Sequence, residues 1–142
     1  MAEIAFNAEI AERFKGPAAG AGGIVEFLGF EITGASPGTM QGKFEVREEL
    51  ITAFGNMHGG VLSAFCDHML GCVCYPAMKK GQWAATTEFK INLTAPVSKG
   101  VVTANAEILV MTRTLAVIRI DLENEGRTCA VAQGTCTIRD PR

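Results

Sequence analysis

The residues that can act on a carbonyl group gather in one segment: Asn56, His58, the pair Gly59-Gly60, and then Asp67. If the run starting at His58 is helical, the first amides of that helix lack intrahelical acceptors and present the positive end of its dipole. Glycine there leaves no Cβ to keep a ligand off the backbone. A carbonyl oxygen gaining negative charge during attack is stabilised by such an N–H. Asp67, a carboxylate on an apolar helix, is the first residue to suspect beside such a donor. Two plainer accounts stand beside this reading: Gly59-Gly60 as a tight turn into a helix, and Asp67 as a carboxylate paired with a strand lysine or arginine.

Spacing adds a constraint. Asp67 lies eight residues past Gly59, about 12 Å along a helix, too far for both to meet one carbonyl within one chain. Two such helices running antiparallel across a two-fold axis would bring Gly59 of one copy toward Asp67 of the other and create two composite sites. His68 points about 100° away from Asp67 around the helix and reads as packing or interface. Ser63 has no matched base.

The helix that would carry these groups runs from about His58 to Tyr75. Pro76 marks its end, and Lys79 and Lys80 lie beyond, near the negative end of the dipole. Apolar residues at 61, 62, 64, 65, 69, 70, 72 and 73 cover nearly the whole circumference, the pattern of a buried helix. The run is too short and too interrupted to span a bilayer. A carboxylate inside such a helix is costly to bury unless something pairs with it or uses it.

Upstream, residues 2–15 place Ile4, Phe6, Ile10 and Phe14 at helical spacing and read as an amphipathic first helix; 16–23 reads as a Gly/Ala-rich linker. Residues 24–33 form a β-like run that turns at 34–38 into a second strand over 40–45. Downstream, strands are expected over 83–93, 101–111, 115–124 and 128–138, and short turns make neighbours antiparallel. The economical way to bury an apolar helix with such strands is to wrap the sheet around it. The expectation is a single α+β domain over residues 1–142, with an antiparallel sheet of five to six strands around the central helix.

Other signals exclude more than they add. A formal net charge of −2 leaves no electrostatic footprint for nucleic acid or an acidic membrane. Glu3, Glu9 and Glu12 argue against a transit peptide, and no apolar h-region suggests secretion, so a cytoplasmic protein is expected. Five cysteines (66, 72, 74, 129, 136) read as packed thiols in a reducing compartment. Cys72-Val73-Cys74 lacks metal-knuckle spacing, so no metal and no cofactor is expected. Gly34-x-Ser36-x-Gly38 spells a nucleophile elbow, but a strand pattern rather than a helix follows it, which makes Ser36 a turn residue.

Taken together, Asn56-x-His58-Gly59-Gly60-x6-Asp67 at the head of a central apolar helix, followed by Thr86-Thr87-Glu88-Phe89-Lys90-Ile91-Asn92-Leu93-x-x-Pro96, resembles the hotdog-fold acyl-CoA thioesterases of the phenylacetate-degradation (PaaI-like) type. The resemblance covers roughly residues 22 to 140 by order of elements and is strongest over 56–71 and 84–100. It implies that the Gly59 N–H polarises the thioester carbonyl and that Asp67, supplied by the other subunit, is the general base or nucleophile. His58 then orients the thioester end of the substrate or shapes the loop. Asn56, at an offset that differs from some relatives, would help hold water or the carbonyl, with Gly60 at the substrate beside it. Thr86 matches a Ser/Thr that assists the attacking water. Lys99 and Arg113 are candidates for coenzyme A phosphates by charge and strand-end position alone, with a solvated face as the plainer account. The implied partners are an acyl-CoA and further copies of the chain, as a dimer or dimer of dimers. The alternatives are a hotdog acyl-CoA hydratase or dehydratase, a non-catalytic acyl-CoA binder, and a structural domain with a capped central helix.

Overall fold

The computed structural model describes residues 3–18 and 20–141. Its organising element is helix α3, Gly59–Cys74, close to the span expected from the sequence. Seven antiparallel strands form one sheet: β1 (Gly16–Pro17), β2 (Glu31–Ser36), β3 (Thr39–Glu45), β4 (Trp83–Leu93), β5 (Val101–Met111), β6 (Leu115–Asn124) and β7 (Arg127–Arg139). Their spatial order is β1-β2-β3-β5-β6-β7-β4. The last four match the expected strands to within a residue at either end. This is the hotdog arrangement, a sheet curled around one helix, with the strand count raised to seven by the two-residue β1.

The helix lies on the inner face of the sheet because that face is built from small side chains where the two approach. Val102, Ala104, Ala106 and Ile108 of β5 alternate inward, as do Ala116, Ile118, Ile120 and Leu122 of β6 and Ala130, Ala132 and Cys136 of β7. Two glycines complete the seat. A Cβ on Gly42 would lie 2.8 Å from the Met69 sulfur, and one on Gly134 would lie 2.5 Å from Phe89 Cβ and 2.7 Å from the Glu88 carbonyl. Into this seat α3 sends Leu62, Phe65, Cys66, Met69, Leu70 and Val73, all buried. Phe65 meets Phe30 and Phe44 with ring centroids 4.8 and 5.0 Å apart, within the range in which aromatic pairs attract beyond their area. On β6, Leu115 and Val117 face outward, so its apolar residues lie on both sides of the strand.

Three expectations need correction. The first helix, α1, is Ala8–Phe14 rather than 2–15: the Asn7 side chain accepts the Ile10 N–H at 3.1 Å and starts the helix there, with residues 3–7 outside it. The linker 16–23 is not all linker, since Gly16 and Pro17 pair with Ile32 and Glu31; proline is tolerated on such an edge. The β-like run 24–33 divides into helix α2, Gly23–Leu28, and the start of β2. Ile24, Phe27 and Leu28 fit helical spacing as well as a strand, and Gly29 at φ 74° closes the helix as a left-handed cap. Residues Met1, Ala2, Ala19 and Arg142 of the expected domain, Ala19 in the expected linker, lie outside the described residues.

Two other readings hold. Ser36 ends β2 and flanks the Pro37-Gly38 turn into β3, its hydroxyl 2.6 Å from that of Thr39, and all five cysteines are buried and unpaired.

The seat itself can be tested. Gly134→Ala drives a Cβ against backbone that cannot rotate away, and overpacking of this kind costs about 1–3 kcal/mol. The urea midpoint is expected to fall accordingly; an unchanged midpoint would show that β4 and β7 have room to separate.

Candidate functional site

Helix α3 begins where His58 caps it. His58 Nδ1 accepts the Gly60 N–H at 2.9 Å, and the His58 carbonyl accepts the Val61 N–H at 2.9 Å. In a neutral ring, accepting at Nδ1 places the proton on Nε2. These two bonds occupy the second and third helical amides. The Gly59 N–H makes no hydrogen bond among the described residues, so of the three leading amides it alone is free to serve a ligand. Gly59 is also where close approach matters: a Cβ there would lie 2.5 Å from Leu93 Cδ1 at the end of β4. His58 itself is held in place by its own N–H, which donates to the Leu50 carbonyl at 2.9 Å.

One stripe of α3 stays uncovered. Gly60, Ser63, Ala64, Asp67, His68, Gly71 and Cys72, with Tyr75 just past the helix end, recur on one face through spacings of three and four, and with Ala84 and residues 86–89 of β4 they line an open groove of about 970 Å³. This corrects the expectation of a helix buried all round: Asp67 is exposed on the groove face and makes no ion pair with a strand lysine or arginine among the described residues. The structure thus removes one plain account of Asp67. Ser63 donates its hydroxyl back to the Gly59 carbonyl at 3.0 Å, a helix-internal bond that leaves it no nucleophilic part.

Thr86 faces Asp67's groove from β4, its hydroxyl only in long contact with the Cys136 sulfur at 3.8 Å. It is followed by a bulge, where Thr86 pairs with Cys136 and Glu88 with Thr135, leaving Thr87 extra. The bulge turns both Thr87 and Glu88 into the groove lining. Glu88 is then a second carboxylate in the groove, oriented by the Thr135 hydroxyl, which donates to it at 2.8 Å. Sequence reasoning missed Glu88 because strict alternation does not reveal a bulge. It missed the stripe around Gly71 for a different reason: Gly60, Ser63, Asp67 and Gly71 were each small or polar at helical spacing, a signal masked by counting apolar residues alone.

The other predicted residues lie apart. Asn56 is exposed in the loop before His58, outside the groove lining; its carbonyl accepts the Thr52 N–H at 2.7 Å. Lys99 precedes β5 and lies 4.0 Å from Glu125, whereas Arg113 follows β5 in the turn to β6. A strand of that length separates them by about 33 Å, so within one chain they cannot grip the same phosphates.

Next to Asp67, His68 packs on Phe30 at 5.5 Å between ring centroids and approaches Cys72 Sγ at 3.5 Å through Nε2. Burial pulls its pKa below the usual histidine value, and the Asp67 carboxylate opposes that only in part. Burial pushes the Cys72 thiol up to about 12. Both groups are therefore neutral near pH 7, which removes a thiolate–imidazolium nucleophile from the groove. No cluster of three or more potential metal ligands occurs among the described residues, and no helix there is long and apolar enough to cross a membrane.

Comparison with known proteins follows this geometry. The model of the thioesterase superfamily matches residues 54–131, from the loop before His58 to the middle of β7. Human acyl-coenzyme A thioesterase 13 is 26% identical over 107 residues, 75% of this chain and 76% of that protein. Among solved structures, a thioesterase from Haemophilus influenzae superposes with a TM-score of 0.81 at 23% identity, covering 99% of this chain and 96% of that one. A variant of the phenylacetic acid degradation protein PaaI from Thermus thermophilus gives 0.72 at 26% identity, covering 79% and 95%.

The position of His68 sets a pH dependence. Its folded pKa is lowered, so between that value and about 6.5 the unfolded chain binds more protons and stability falls as the pH drops. The His68 ring signal in an NMR titration is expected to have its midpoint below that of a free histidine, and lower still in Asp67→Asn. A midpoint at or above the free value would mean that the ring is solvated.

Proposed function

This chain belongs to the thioesterase superfamily, and from that premise we propose that it hydrolyses an acyl-CoA thioester to free acid and coenzyme A, at composite sites formed by two copies of the chain. Asp67 takes a proton from water, the hydroxide attacks the thioester carbon, and the carbonyl oxygen becomes an oxyanion held by the Gly59 N–H of the other copy. The intermediate collapses with cleavage of the carbon–sulfur bond, and the proton on Asp67 goes to the departing thiolate. Direct attack by the Asp67 carboxylate gives the same products through an anhydride that water then opens. Thr86 is placed to hold the attacking water, and His58 to hold Gly60's amide away from the substrate so that the Gly59 amide alone faces the carbonyl.

The observation that carries this reading is the pairing of an uncovered, unpaired Asp67 with a single free amide at Gly59. The two sit about 12 Å apart along one helix, so a site needs both helices of a pair. The shape of the chain supports that pairing. Strand β4 is an edge of the sheet, eleven residues long, and none of its residues is buried. A long open edge beside an uncovered helix stripe is a surface that natural proteins cover.

The substrate class is supported by the relatives, whose names include an acyl-coenzyme A thioesterase. Thiol release should be followed with short, medium and long acyl-CoAs and with phenylacetyl- and hydroxybenzoyl-CoA. Asp67→Ala is expected to lower kcat by about 10²–10⁴-fold with the thermal transition unchanged. Equal turnover by the variant would remove Asp67 from the mechanism, and no turnover of any thioester by the wild type would sink the assignment.

A further inference from the structure

The loop that delivers the chain into α3 is built to hold one residue out in solvent. Ile51 pairs with Met57 in an antiparallel bridge, and inside it the Thr52 N–H donates to the Asn56 carbonyl at 2.7 Å and the Gly55 N–H to the Thr52 carbonyl at 2.9 Å. The Phe54 N–H adds a bond of 3.3 Å to the Thr52 hydroxyl. Gly55 takes φ 83° to close the turn. The base is anchored as well: Met57 is buried and donates its N–H to the Val97 carbonyl at 2.7 Å. At the tip of this braced loop Phe54 is 92% exposed, against 67% for Phe27 and 64% for Ile24 on α2. A ring so fully exposed on a hydrogen-bonded loop, rather than on a loose one, is placed there for something to meet it.

The register of the two-copy site says what that is. This step rests on the composite-site reading above. An antiparallel pairing that sets Gly59 of one helix opposite Asp67 of the other points the loop before each helix past Asp67, toward the C-terminal end of the partner's α3. The loop tip therefore lies toward the end of the groove beyond Asp67, where Gly71 and Cys72 of α3, Tyr75 just past its end, and Ala84 of β4 form the wall. That end has room for an incoming side chain: a Cβ built on Gly71 meets nothing within 4 Å. The same end lies on the far side of Asp67 from the helix N-terminus, so an acyl group that runs from a thioester at Asp67 away from that N-terminus reaches it.

We propose that Phe54 of one protomer forms the end wall of its partner's groove, against the partner's Gly71, the partner's Cys72 and the partner's Tyr75, and sets how long an acyl group the site accepts. Phe54 makes no bond to the reacting atoms; it is a specificity-determining residue that acts across the dimer. The exposed ring becomes covered on pairing, and the groove, open at that end in one chain, becomes a pocket of limited depth.

Mixed dimers, assembled from two differently tagged chains, separate this from any action within one chain. In a dimer of Asp67→Ala/Phe54→Ala with wild type, the one groove that keeps Asp67 also keeps Phe54 in its own chain but meets alanine across the interface. The ratio of kcat/KM for dodecanoyl-CoA over butyryl-CoA is expected to rise there by about tenfold or more. In a dimer of Asp67→Ala with Phe54→Ala, the working groove meets the intact Phe54 of the other chain, and the wild-type ratio is expected. The reverse pattern, or the same ratio in both, overturns the proposal. A second measurement does not use activity. Phe54→Cys/Gly71→Cys treated with a short bis-maleimide is expected to run as a covalent dimer, while neither single variant does, the native cysteines being buried. A double variant that stays monomeric on a denaturing gel overturns the placement of Phe54 even where turnover is normal. A covalent dimer with no turnover of any acyl-CoA leaves the placement standing and sinks the thioesterase reading, together with the role in acyl length.

Discussion

The structure depends on how closely one helix approaches one sheet. Helix α3 rests on Gly42, Gly134 and the alanines of β5, β6 and β7, and at both glycines a Cβ would collide with a helix side chain or with backbone. Because the seat is shallow, the inward face of α3 carries the large residues Leu62, Phe65, Met69 and Leu70, and the sheet needs little bulk of its own. Dispersion contacts in such a layer are individually small and depend steeply on distance. A seat of small residues therefore fixes the helix in both translation and rotation. That rotation leaves the stripe from Gly60 to Cys72 uncovered by the sheet's inner face, with Asp67 in its middle.

The N-terminus of α3 shows how a backbone group becomes available. A helix start has several donors without internal acceptors, and stability favours satisfying all of them. Here His58 satisfies Gly60 through its ring and Val61 through its carbonyl, and the amide of Gly59 is left over. The histidine in this motif thus does a structural task with a chemical consequence. It keeps the helix capped while one amide, on a residue with no side chain, remains directed at whatever occupies the space beside Leu93.

Much of this was readable from the residues. The four downstream strands follow from alternation and from the turns at 96–100 and 123–127, and α3 follows from its apolar run and Pro76. What failed has physical causes. Ile24, Val25, Phe27 and Leu28 suit either a helix or a strand, and only the left-handed Gly29 decides between them. Counting apolar positions on α3 suggested burial all round, because a glycine, a serine and an alanine do not register as a stripe until a sheet has chosen which side it covers. Glu88 entered the groove through a bulge, which adds a residue without leaving a mark in the sequence. Tertiary placement, and not local preference, governs the stripe on α3 and the bulge at Glu88.

Burial also accounts for the state of the thiols around the groove. Cys66, Cys72 and Cys74 lie along α3 with Cys129 and Cys136 facing them from β7. Burial holds Cys66 and Cys72 up to about 12, and the neighbouring Cys136 thiol, with burial, raises Cys74 as well. Thiols in that state are small apolar side chains; Cys136 differs, its hydrogen bond with the Cys74 thiol shifting it below the usual thiol value. Acting as a nucleophile would require a thiolate, which the same burial opposes. The carboxylate differs because it sits on the open side of the helix, where water reaches it. Packing thus separates Asp67 from most of the thiols: Cys66 and Cys74 fill the seat, Cys72 is buried at the wall of the groove, and the carboxylate lies on the stripe that the seat leaves bare.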